Sequence, residues 1–143
     1  MSIPMSPKRV REFLMSGTLT GKLATVRADG RPHVAPIWFV LDGDDILFNT
    51  AETSVKAKNL QRDTRVAISV DDQVPPYSFV IVEGFASLSA EPEELLKWAK
   101  AIGGRYMGLE RADEFGRRNG GPGEWLVRVR PTKIIGSDDT VGY

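Results

Sequence analysis

The chain of 143 residues has no cysteine and one histidine, His33. Without cysteine there are no disulfides, no thiol nucleophile and no thiolate metal ligand. One imidazole cannot build a histidine-based metal cluster, so no metal site is expected. Net charge is also lacking, since 19 basic and 19 acidic residues cancel and the pI is about 6.6. Bulk attraction to nucleic acid or an anionic membrane is therefore not expected. No apolar run approaches the roughly 20 residues that span a bilayer, and the N-terminus lacks a signal-peptide core. These absences fit a cytoplasmic protein with no membrane span. The 41% hydrophobic and 27% charged composition is ordinary for a globular chain. The length predicts one domain, 1–143, that buries about two-thirds of its unfolded surface.

Local signals predict an antiparallel α+β domain, a small barrel of about six strands with helical cover. Ser6 and Pro7 open a first helix with Val10, Phe13 and Leu14 on one face, and Gly17 stops it. Strands are expected over 19–28, 31–41, 45–50, 65–71, 77–89 and 125–135. Asp29-Gly30 and Asp42-Gly43 read as hairpin turns. Pro32 and Pro36 push the second strand to an edge or a bulge, because neither donates to a ladder. Gly84 marks a bulge or a close backbone approach. A late helix starts at Pro92 with acids at its favourable end, and Gly103-Gly104 is the expected stop. Residues 109–123 read as a charged, glycine-rich mobile loop with room for one helical turn, and 137–143 as a loose tail. Trp38, Phe39, Tyr77 and Phe79 exceed what one small barrel hides, so a homodimer is expected to cover them.

The segment FNTAETSVKAKNLQRD, 48–63, stands out. A strand runs through a turn into a helix capped by Ser54, with Lys56 and Lys58 in its first turns. Cations at a helix N-terminus cost about 0.3–1 kcal/mol each. An anion docked on the free N–H groups removes that cost. Two lysines, Asn59 and a hydroxyl cap at one helix start thus point to a phosphate site. A solvated lysine face is the alternative.

The ordered set GRPHVAPIWFV, ILFNTAETSVKAKNLQRDTRVAISV and YSFVIVEGFASL resembles the pyridoxamine-phosphate-oxidase-like split β-barrel proteins. Its nearest likeness is to their F420-dependent flavin/deazaflavin oxidoreductases of the B type. The resemblance implies a homodimer with two cofactor clefts at the subunit interface. By position it assigns Lys56, Lys58 and Asn59 to the phosphate helix, and Thr50 and Ala51 to the backbone lining the ring. Pro32, His33, Ala35 and Pro36 form the other wall. Tyr77 and Phe79 match an aromatic pair contributed by the partner. Ser54 stands where relatives often carry an arginine. The longer arginine-rich pattern of the true pyridoxamine-phosphate oxidases is missing.

The resemblance implies coenzyme F420 as cofactor, with FMN as the alternative. A reduced deazaflavin carries a transferable hydride, so the protein need only bind, orient and exclude water. The implied activity is hydride transfer to an unsaturated or quinone-like small molecule. No catalytic residue is required, and Tyr77 and His33 are the weak candidates for a proton donor. Trp38, Trp98 and Trp125 read as packing residues. The acidic F420 tail needs further cations, and Lys8, Arg9, Lys22, Arg27 and Arg31 are the candidates. The other readings are an FMN-dependent flavin reductase and a non-catalytic cofactor-binding protein.

Overall fold

Alternating apolar side chains give seven strands that share one antiparallel sheet. The computed structural model describes residues 3–140. In chain order the elements are α1 (Pro7–Leu14), β1 (Gly21–Val26), β2 (Pro32–Ile37), β3 (Val40–Asp42), β4 (Asp45–Ala51), α2 (Val55–Arg62), β5 (Arg65–Asp71), β6 (Phe79–Ser89), α3 (Pro92–Met107), a 3₁₀ turn (Leu109–Arg111), α4 (Ala112–Asn119) and β7 (Glu124–Ser137). The strand order is β2-β1-β5-β6-β7-β4-β3. This is an α+β split-barrel fold, as expected. The proline-bearing β2 lies at an edge.

One face of the alternation makes the core. Leu23, Ile68, Val70, Val80, Val82, Val127 and Val129 are fully buried with Phe39, Ile46 and Phe48, and α1 adds Val10, Phe13 and Leu14. Burying a side chain such as Phe48 contributes about 1.5–3 kcal/mol. A second cluster seats α3 on the sheet through Leu95 and Ile102 against Val40, Leu47 and Leu126. Leu60 of α2 enters the main core. The 2.8 Å hydrogen bond between Thr50 Oγ1 and Ser54 Oγ fixes the start of α2 beside the end of β4.

Several expectations change. Strand β6 starts at Phe79, after Tyr77 at φ 62. The 31–41 strand splits into β2 and β3 around Trp38-Phe39. Phe39 is wholly buried, so it is no candidate for a dimer surface. The first hairpin closes through Arg27 N–H to the Arg31 carbonyl, with Gly30 at φ 87, so its loop has three residues, not two. The Asp42–Asp45 pair makes Gly43-Asp44 the second turn. Helix α3 passes through Gly103-Gly104 because α4 packs there: a Cβ on Gly103 would stand 2.6 Å from Phe115 Cβ. The segment expected as a mobile loop holds the 3₁₀ turn and α4. Part of the expected tail is anchored, since Arg9 Nε donates to Asp138 at 2.8 Å and Ser78 Oγ to the Asp138 carbonyl at 2.7 Å. Val141 to Tyr143 lie outside the described residues. No helix among the described residues is long and apolar enough to cross a membrane.

Asp63 ends α2 and ties it to β5. Its carboxylate accepts from Arg65 N–H at 3.1 Å and from the Arg65 guanidinium at 3.0 and 2.6 Å. The Arg65 side chain, then its backbone N–H, hold the Asp63 pKa down to about 2, against an ordinary value of 3.8. A depressed folded-state pKa adds stability above the unfolded value and loses it as pH falls through the folded one. The Asp63→Asn variant should therefore be less stable than the wild type at neutral pH. The gap should close between about pH 4 and pH 2 in urea titrations. A gap that persists at pH 2 would mean that Asp63 acts through packing instead of charge.

Candidate active site

The start of α2 opens into a groove of about 360 Å³. The end of β2 supplies Pro36 and Ile37, Trp38 follows it, the end of β4 supplies Asn49, Thr50 and Ala51, and α2 with its N-cap supplies Lys56 and Ser54. Ala99 and Ile102 of α3, Asn119 of α4 and Glu124 of β7 close it. Glu124 is held opposite Ala51 by the β4–β7 pairing, and Glu52 N–H donates to the Gly123 carbonyl at 2.9 Å.

Ser54 caps α2 by accepting from Ala57 N–H at 3.1 Å, and it shares a 2.8 Å hydrogen bond with Thr50 Oγ1. The first N–H groups of a helix lack intrahelical partners. Those of Val55 and Lys56 thus remain for an anion. The electrostatics differ from those of the other helices. Helix α3 is capped by Glu91, which accepts from Glu93 and Glu94 N–H. The α1 cations Lys8 and Arg9 reach Glu12 and Asp138. No acid stands in the first turn of α2, and no described carboxylate comes within 4 Å of Lys56. Burial pushes the Lys56 pKa down, and the charge of Glu124 partly opposes this. Burial pushes Glu124 up, and Lys56 partly opposes that.

Trp38 forms a flat wall. Its ring stacks on Tyr106, centroids 5.0 Å apart and planes within 3°. Tyr106 Oη accepts from Phe39 N–H at 3.2 Å and donates to the Leu19 carbonyl at 2.7 Å. The Arg105 guanidinium lies over Phe39 and donates to the Phe39, Leu14 and Gly17 carbonyls at 2.6, 2.7 and 3.0 Å. This clamp fixes the break between β2 and β3, and hence Trp38.

The groove collects Pro36, Thr50, Ala51 and Lys56 from the expected residues. Lys58 is exposed and does not line it. Asn59 is buried and donates to Thr25 Oγ1 at 3.0 Å, so it ties α2 to β1. Pro32, His33 and Ala35 lie further along β2, outside the groove lining. His33 Nδ1 is buried without a hydrogen-bond partner. Tyr77 and Phe79 line a separate, open groove with Lys22, Asp71 and Ile81. One protomer alone does not bring them to Lys56. Of the proposed tail cations, all but Arg27 hold carboxylates of their own chain: Lys8 with Glu12, Arg9 with Asp138, Lys22 with Asp71 and Arg31 with Asp29.

Trp38, Asn49, Asn119 and Glu124 were not expected in the site. Asn49 precedes Thr50, so the strand-end motif carried a signal for it. Asn119 sat in the segment read as a loop. The acid at 124 follows a glycine-rich turn, with no local sign of its neighbour. Asn49 also tests the fit of a cofactor. Its Nδ2 donates to the Leu95 carbonyl at 3.4 Å, while its buried Oδ1 has no partner. A planar group with an N–H donor and a phosphate would satisfy Oδ1 and Lys56 together.

The family model for pyridoxamine 5'-phosphate oxidase matches residues 6–136. A 5a,11a-dehydrotetracycline/5a,11a-dehydrooxytetracycline reductase of Streptomyces rimosus is 28% identical, over 93% of this chain and 82% of its own. A conserved hypothetical protein from Mycobacterium tuberculosis superposes with a TM-score of 0.84 at 31% identity, over 96% of this chain and 86% of that one. A structure described as an F420 reductase matches with a TM-score of 0.67 at 30% identity, over 86% of this chain and 94% of that one.

Proposed function

Because the chain belongs to the pyridoxamine 5'-phosphate oxidase family, we propose that it is an F420-dependent reductase of an unsaturated or quinone-like small molecule. The observation that carries this reading is Lys56, unpaired in a groove at the start of α2. In this role Lys56 and the free N–H groups of α2 hold the phosphate. Asn49 and the Thr50–Ala51 backbone orient the ring, and Trp38 excludes water from one side. When bound, the reduced deazaflavin supplies the hydride. The likeness to the F420 reductase supports the choice of cofactor. A panel of activated alkenes and quinones, incubated with reduced F420 and the protein, tests the activity. The expected result is protein-dependent return of oxidised deazaflavin absorbance with at least one acceptor. Tight binding without turnover across the panel would favour a cofactor-binding protein instead.

FMN is the second reading, favoured by one observation. The cations offered for the acidic tail pair with carboxylates of the same chain, leaving Arg27.

The assembly belongs to the same proposal. The outer sheet face carries Val34, 64% exposed, with Ile135 and Tyr77 nearly half exposed. A second copy on this face would bury them and bring Tyr77 and Phe79 towards a neighbouring groove. Sedimentation at micromolar concentration should give a dimer, and Ile135→Asp should shift it towards monomer. A wild-type monomer that binds cofactor fully would contradict the shared cleft.

A further inference from the structure

Among the described residues, Lys56 is the only cation and Glu124 the only anion lining the groove. Glu52 and Lys58 are exposed outside it. With both groove groups ionised, the subsite is neutral before any ligand enters. The backbone of Glu124 is also fixed beside the groove. It pairs with Ala51, and its N–H donates to the Gly121 carbonyl at 3.2 Å. The carboxylate of a groove residue repels an incoming anion in proportion to the anion's charge.

Phosphate ligands differ in that charge. FMN ends in a phosphate monoester, which carries about −1.5 to −2 near pH 7. The phosphate of F420 is a diester and carries a single negative charge. We infer that Glu124 is a specificity residue, which offsets the pull of Lys56 on a dianionic phosphate monoester and so shifts the groove towards a monoanionic phosphodiester. The inference rests on the reading of this groove as the phosphate site. It adds a source of cofactor choice that does not depend on the F420 tail, whose candidate cations are largely paired. The coupling between the two groups agrees with it, because Lys56 and Glu124 each oppose the shift that burial imposes on the other.

Fluorescence titrations of Glu124→Gln and wild type at about pH 8 provide the test, with F420, FMN and riboflavin as probes. Riboflavin has no phosphate and reports the ring alone. Neutralising Glu124 should tighten F420 by about threefold and FMN by about tenfold, because doubling the charge doubles the repulsion and squares the ratio. Riboflavin should not change. Equal gains for F420 and FMN, or none, would overturn the inference and leave the proposed function standing. Wild-type protein that binds none of the probes would overturn the proposed function itself. A second measurement needs no variant. The methyl ester of FMN has the same ring and one charge fewer, and wild type, with Lys56 and Glu124 offsetting each other, should bind the two within about threefold. FMN bound about tenfold or more tightly than its ester would overturn the inference even if Glu124→Gln failed to fold.

Discussion

Replacing Lys56 with alanine is expected to weaken cofactor binding by about 1.5–3 kcal/mol, the range for a hydrogen bond to a charged group. Each 1.4 kcal/mol is about tenfold in Kd. The fold should survive, because the variant removes a half-buried charge that makes no ion pair within 4 Å among the described residues. Two controls make the result specific. Lys58→Ala should have little effect, since Lys58 is exposed and outside the groove. Adding Glu124→Gln to Lys56→Ala should restore part of the affinity, because the single variant leaves an acid alone in the subsite. The double-mutant cycle measures that coupling. If Lys56→Ala binds like wild type while circular dichroism shows it folded, Lys56 is not the anion contact.

Gly84→Ala should have the largest effect on stability. The register of β6 on β7 shifts between Glu83 and Gly84, and Gly84 faces Pro131 across the ladder. A Cβ at Gly84 would stand 2.3 Å from the Arg130 carbonyl oxygen and 3.1 Å from Pro131 Cα. Both atoms are backbone of the neighbouring strand, so no side-chain rotation relieves the clash. Overpacking of this kind costs about 1–3 kcal/mol or more. For a chain of this size the melting temperature should fall by roughly 3–10 °C. Gly121→Ala is the control, since its nearest contact, Arg117 O at 3.4 Å, is ordinary. A Gly84→Ala melting curve that overlays the wild type would mean that the bulge does not depend on the close approach.

The elements that read most clearly from sequence are those with local causes. Ser6 and Ser54 cap their helices, β5 runs from Arg65 to Asp71, and Gly84 lies at a bulge because the strand backbones meet there. The failures have distant causes. Gly103-Gly104 looked like a helix stop, yet Phe115 requires a small residue there and the helix continues. Residues 112–119 carry few apolar side chains, so their helix was hidden; Phe115 and Gly116 bury it against α3. The site divides in the same way. Lys56, Thr50 and Ala51 lie in one contiguous segment and were legible. Trp38 and Glu124 reach the groove through the Arg105 clamp and the β4–β7 register, which are contacts of high sequence separation. Asn59 belonged to the right motif but has a structural role, because its face of α2 turns to Thr25.

The central claim is that a cofactor phosphate binds at the start of α2. Backbone amide NMR during titration with F420 tests it most directly. The largest shifts should fall on Ala51, Val55, Lys56 and Glu124, and the Lys56→Ala variant should lose them. A cavity of about 460 Å³ beside α1, lined by Met5, Val10, Arg130 and Gly136, offers the competing location. Shifts confined to those residues, with the start of α2 unmoved, would contradict the account.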